Sequence, residues 1–192
     1  MANELEYYLS IESDLEVCSR YVELSKDNFA TYSVEFAKII MAASAEIDTL
    51  SKEMCKLIAP EMKPKDIKGI GKYAEIILKK HPGLAGIEMV IPRYELSLKP
   101  WADWSKTTSP NWWQSNNSIK HDRANNFNKA NLENAIGALA GLLALTLYFY
   151  LEKNGKLLDI SAFSAPRLLG VADIDKDSDW IKGGIFYSYN LP

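Results

Sequence analysis

Apolar residues recur at three- or four-residue steps over several stretches, and each stretch predicts a helix. Leu5, Tyr8, Leu9, Leu15, Val17, Tyr21 and Leu24, set among Glu and Asp, predict an amphipathic helix within residues 3 to 25. After a turn at Lys26-Asp27-Asn28 the pattern sharpens. Tyr32, Phe36, Ile39, Ile40, Ala43, Ile47, Leu50, Met54 and Leu57 mark one face of a helix that ends before Pro60. Ser109 reads as an N-cap, and Pro110 as a first helical residue whose missing N–H the helix would not use. That helix runs to about Asp122. A further helix begins between Phe127 and Asn131 and reaches about Leu151. Within it, Ala135 to Leu151 is seventeen residues without a charge, the mark of a helix buried all round.

Shorter patterns fill the gaps. Between Met62 and His81 six lysines face Asp66 and Glu75. Inside this basic stretch, Ile67-Lys68-Gly69-Ile70-Gly71-Lys72 is similar to a DNA-binding helix-hairpin-helix, but Ala74 stands one residue too close to the glycines. It is read as a short helix opened by glycine with a lysine-rich solvent face. From Ile87 to Leu98, β-branched and aromatic residues alternate with polar ones and predict one or two short strands. Residues 184 to 190 read as a final strand pairing with Glu88 to Leu98. Trp101, Trp104, Trp112 and Trp113 are expected to pack over a core edge. The resulting fold class is a single mainly α domain over residues 1 to 192. It is expected to be an up-and-down bundle of four to five helices with a small β-hairpin or two- to three-stranded elaboration.

Composition narrows the classes. With 192 residues, 47% of them hydrophobic, the chain can bury a full core. A net charge of -3 and a pI near 5.5 argue against broad, sequence-blind nucleic-acid binding. Cys18 and Cys55 are too few for a disulfide framework, and the N-terminus lacks the order of a signal peptide. A cytoplasmic protein with reduced thiols is expected. The uncharged run falls short of the roughly 20 residues of a bilayer span and is interrupted by Gly137, Gly141 and Thr146. No membrane association is therefore expected. The Gly137–Gly141 spacing predicts a close approach between helices.

Cofactor chemistry finds little support. There is no phosphate-binding glycine loop and no Cys/His zinc spacing, and two histidines, His81 and His121, exclude a histidine-rich metal site. Asp173, Asp175, Asp177 and Asp179 are similar to the start of a calcium loop. Ser178 stands where that loop needs glycine and Gly184 where it needs glutamate. Neither a metal nor a cofactor is expected.

The densest polar cluster precedes the uncharged run. On a helix from Pro110 to Asp122, Trp113, Asn117 and His121 share one face at four-residue spacing, with Asn116 and Lys120 on the neighbouring strip. Asn117 and His121 are thus placed to address one ligand. Glu46 is a carboxylate flanked by Ala43, Ala45 and Ile47.

Asn116-Asn117-Ser118-Ile119-Lys120-His121, set between long helices, resembles the motif of the HEPN superfamily (higher eukaryotes and prokaryotes nucleotide-binding). Tyr32 to Lys38, Trp112-Trp113, Lys120 to Arg123 and Ala130 to Leu132 extend the resemblance over roughly residues 28 to 152. It implies a helical bundle that pairs as a homodimer, with the motifs of two subunits meeting in a cleft. It also implies metal-independent RNA cleavage, or RNA or nucleotide binding, in a toxin–antitoxin or defence setting with an antitoxin or other protein as partner.

On that resemblance His121 is the proton-transfer group, and Asn117 and Asn116 position phosphate. Lys120 or Arg123 supplies positive charge, Glu46 orients the histidine from the facing helix, and Asp122 and Trp113 are further candidate binding residues. The other reading of His121 is a helix-end histidine hydrogen-bonded to Asp122 or Glu46. The family's arginine position is held here by Asn116, which carries no charge. The alternative is a non-catalytic helical interaction or dimerisation module with a degenerate motif.

Overall fold

The computed structural model describes residues 3–155 and 166–172. Among them are seven α-helices and a small sheet: α1 Asn3–Cys18, α2 Val34–Ile58, α3 Ile70–Lys80, α4 Gly83–Gly86, β1 Met89–Ile91, β2 Leu96–Leu98, α5 Asn111–His121, α6 Arg123–Asn126, α7 Leu132–Asn154 and β3 Gly170–Val171. The domain is mainly α with a three-stranded antiparallel elaboration in the order β2-β1-β3.

Capping chemistry sets the two longest helices. The Ser33 hydroxyl accepts the Phe36 amide at 3.1 Å at the start of α2. The Asn131 side chain does the same for the Asn134 amide at 3.0 Å on α7, and Gly155, at φ 67, closes α7 in the left-handed region. Just before both helices the chain pairs with itself: the Ser33 amide donates to Ala130 O and the Leu132 amide to Thr31 O. α2 and α7 therefore start side by side, and they remain packed along their lengths. α1 runs back against them, because Glu4 at its start meets Tyr150 near the end of α7.

Local competition moves two helix ends. α1 stops at Cys18 instead of continuing towards residue 25, where the Ser19 hydroxyl takes the Glu16 carbonyl at 2.7 Å. α5 begins one residue later than expected, because Pro110 is extended at ψ 149 and acts as the cap. Ser109 instead offers its carbonyl to the Gln114 side chain at 2.7 Å.

The predicted strands form a hairpin, with Met89 opposite Leu98 and Ile91 opposite Leu96. β3 takes the other edge of β1, pairing Met89 with Val171. The strand expected at 184 to 190 and the Asp173–Asp179 series lie outside the described residues.

α7 is the centre of the core: from Ala135 to Tyr150 every residue is buried. It is long and apolar enough to cross a membrane, but 94% of its most apolar window is covered by the fold itself. The tryptophans fasten the loop before α5 to this core. Trp101 Nε1 donates to Gly141 O at 3.0 Å, Trp112 Nε1 to Pro100 O at 2.9 Å, and Trp104 Nε1 to Ile70 O at 3.0 Å. A Cβ at Gly71 would lie 2.3 Å from the Lys106 carbonyl oxygen, so the second glycine of the basic stretch serves backbone packing.

Candidate functional site

The last two turns of α5 keep Ser115, Asn116 and Ile119 in the fold and present Asn117, Lys120 and His121 to solvent. Trp113 is buried, whereas Asn117 and His121, one and two turns further on, are exposed. The four-residue spacing thus yields a stripe whose first member packs and whose last two are free to meet a ligand. Asn116 lies one step round the helix and is only 8% exposed. It is therefore largely covered by the fold, unlike the face that Asn117 and His121 share.

Positive charge gathers beside this face. Lys120 and Arg123 are exposed at the end of α5 and the start of α6. Lys129, which the sequence reading did not single out, arrives by tertiary folding: its Nζ donates to the Ser118 hydroxyl at 3.0 Å. Eleven residues separate the two, and only the short 3-10 turn at Phe127–Lys129 brings them together. None of these three cations has an acidic partner among the described residues.

Asp122 is committed elsewhere. Its carboxylate accepts from the Asn125 side chain at 3.0 Å and the Asn126 side chain at 3.3 Å, and its carbonyl accepts from Asn126 at 2.8 Å. It braces α6, and no hydrogen bond joins it to His121 among the described residues.

Glu46 sits half-buried in the middle of α2. Burial, and after it the charge of Glu4, pushes its carboxyl above the usual value. Glu4 in turn meets the Tyr150 hydroxyl at 2.5 Å and Lys153 at 3.5 Å, at the far end of α7 from Lys129. No hydrogen bond or ion pair links Glu46 to His121 among the described residues.

The other histidine is placed oppositely. His81 Nε2 lies 2.7 Å from Glu152 Oε2, and the side chains are 11% and 17% exposed. The Tyr148 ring packs edge-on to the imidazole at 5.4 Å. The fold thus ties down one imidazole and leaves the other, with an amide one turn away and three cations around it, open to solvent. Such a face can bind a polyanion by charge and exchange a proton with it. Among the described residues no group of three His, Cys, Asp or Glu side chains is arranged to hold a metal ion. Compared with models of protein families, with curated proteins and with solved structures, the chain finds no match.

Proposed function

We propose that the chain binds single-stranded RNA at the exposed end of α5, as a HEPN-like protein, and that His121 carries the proton transfer when bound RNA is cleaved. The carrying observation is the pairing of Asn117 and His121 on one open face, with no internal partner among the described residues. Lys120, Arg123 and Lys129 hold phosphates, and Asn117 donates to a phosphate oxygen.

In cleavage, an imidazole takes the ribose 2′-OH proton and the 2′ oxygen attacks phosphorus. The bond to the 5′ oxygen breaks, and that oxygen receives a proton, leaving a 2′,3′-cyclic phosphate. A single His121 serves one of these transfers at a time. A second copy of the chain, meeting the first across this face, supplies the other.

The test titrates labelled single-stranded RNA with wild type and with His121→Ala, Asn117→Ala and Lys120→Gln/Arg123→Gln, with a chelator present. Wild type should retain RNA with an affinity falling with salt at a log–log slope of about -2, as three phosphate contacts give. The double lysine–arginine variant should lose most of that binding, and His121→Ala should lose cyclic-phosphate products. Failure of wild type to retain RNA would sink the proposal.

Asn116 favours a second reading, since it is neutral and buried where the family carries arginine. On that reading the chain is a non-catalytic dimerisation module. RNA that is neither retained nor cut, together with self-association in sedimentation, would select it.

A further inference from the structure

A concave surface with no α5 residue in its lining forms where α2 passes the loop leading into α3. It is a cleft of about 340 Å3, within the size range of small-ligand sites. Lys52 and Lys56 reach it from α2 and Lys68 from the loop, against a single carboxylate, Asp48. Three lysines therefore line this cleft in a chain whose net charge is -3.

Asp48 offsets the charge of Lys52 and leaves Lys56 and Lys68 to meet an anion. Asp48 Oδ1 accepts the Tyr73 hydroxyl at 2.8 Å, and Oδ2 accepts Lys52 Nζ. Both oxygens are engaged, so Asp48 fixes Tyr73 and Lys52 at the wall. Lys56 pairs with Glu53 at 2.6 Å, but both are about half exposed, and such pairs hold weakly enough to exchange for a stronger anion. Lys68 is exposed and has no acidic partner among the described residues.

Gly69, at φ 81, has no side chain to fill the space. It also precedes the first residue of α3 as its N-cap, and the dipole of that helix adds positive potential at the same wall. Pro64 and Ile67 provide an apolar flank.

We propose that this cleft binds the phosphate group of a small phosphorylated molecule. Lys56 and Lys68 ion-pair with the phosphate, Lys52 is held ready by Asp48, and the remainder of the ligand lies on Pro64 and Ile67. The site is separate from the α5 face, so neither stands or falls with the other.

The test is calorimetric titration of the full chain with inorganic pyrophosphate. Binding is expected, and Lys56→Gln and Lys68→Gln should each weaken it about tenfold, the scale of one charge-assisted hydrogen bond. Lys38→Gln, at an exposed lysine near the start of α2 and outside both surfaces, should leave it unchanged. A chemical acetylation footprint of wild type, which needs no variant, should show pyrophosphate protecting Lys56 and Lys68 but not Lys38. Absence of binding, affinities unchanged in both variants, or no protection overturns the proposal. So does loss of RNA affinity in Lys56→Gln and Lys68→Gln without loss of pyrophosphate affinity, which would assign the cleft to nucleic acid.

Discussion

The indole of Trp112 lies on Gly137 so closely that a Cβ there would stand 3.0 Å from Cδ1 of the ring. One turn along α7, a Cβ at Gly141 would meet Trp112 at 3.0 Å and Trp101 at 3.5 Å. The two glycines form a groove in α7 that accepts α5 through a single aromatic side chain. Their spacing predicted close packing, and the neighbour is a tryptophan that its bond to Pro100 keeps from swinging away.

Gly141→Ala should therefore destabilise the fold. Overpacking against two fixed indoles costs about 1–3 kcal/mol, more than the 0.5–1 kcal/mol or so gained from alanine's helix preference. Urea denaturation should show a net loss of about 1 kcal/mol. A stabilised variant would mean that the indoles yield.

Glu12 fastens the far segment of the chain to α1. It is 2% exposed, and its oxygens accept the amides of Arg167 at 2.7 Å, Leu168 at 3.0 Å and Leu169 at 3.1 Å, together with the Tyr8 hydroxyl at 2.8 Å. Glu12→Ala takes this acceptor from the three backbone amides and should cost about 3 kcal/mol. Glu12→Gln keeps one oxygen and should cost less. Equal stability of Glu12→Ala and wild type in denaturant would refute this.

Glu46 should leave a signature in the pH dependence of stability. Burial first, and the charge of Glu4 second, raises its carboxyl above 4.5 in the folded chain. The folded state thus holds this proton more tightly than the unfolded state does. Its contribution is most favourable below about pH 4.5 and is lost as pH rises through the folded value. Glu46→Gln should raise the thermal midpoint at neutral pH, and its advantage should vanish as pH falls below 4.5. A gap that widens on acidification would reverse the sign.

The two histidines should separate in a stability assay. His81→Ala removes the partner of a mostly buried Glu152 and should cost about 2 kcal/mol. His121→Ala touches an exposed ring and should stay within about 0.5 kcal/mol of wild type. Chemical denaturation of both variants at one pH decides it.

Much of the architecture was readable because its causes are local. The apolar spacing from Phe36 to Met54 and the uncharged run each act within a few residues, and α2 and α7 form where they point. The β1–β2 hairpin follows alternation in the same way. α1 ended early because one serine competes for a helix carbonyl, an effect too small to show in periodicity.

For the candidate site, the sequence by itself determined that Asn117 and His121 share a face, because four residues make one helical turn whatever the surroundings. It also determined that α7 must be covered, since seventeen uncharged residues tolerate little water. Only tertiary structure decided which face of α5 is exposed, that Asn116 is buried, and that Lys129 joins Ser118. It likewise decided that Glu46 answers to Glu4, that His81 meets Glu152, and that Glu12 holds Leu168. These pairs lie 11 to 156 residues apart, and their formation depends on how whole helices pack. Periodicity fixes which way a side chain points from its own helix; packing alone fixes what stands opposite it.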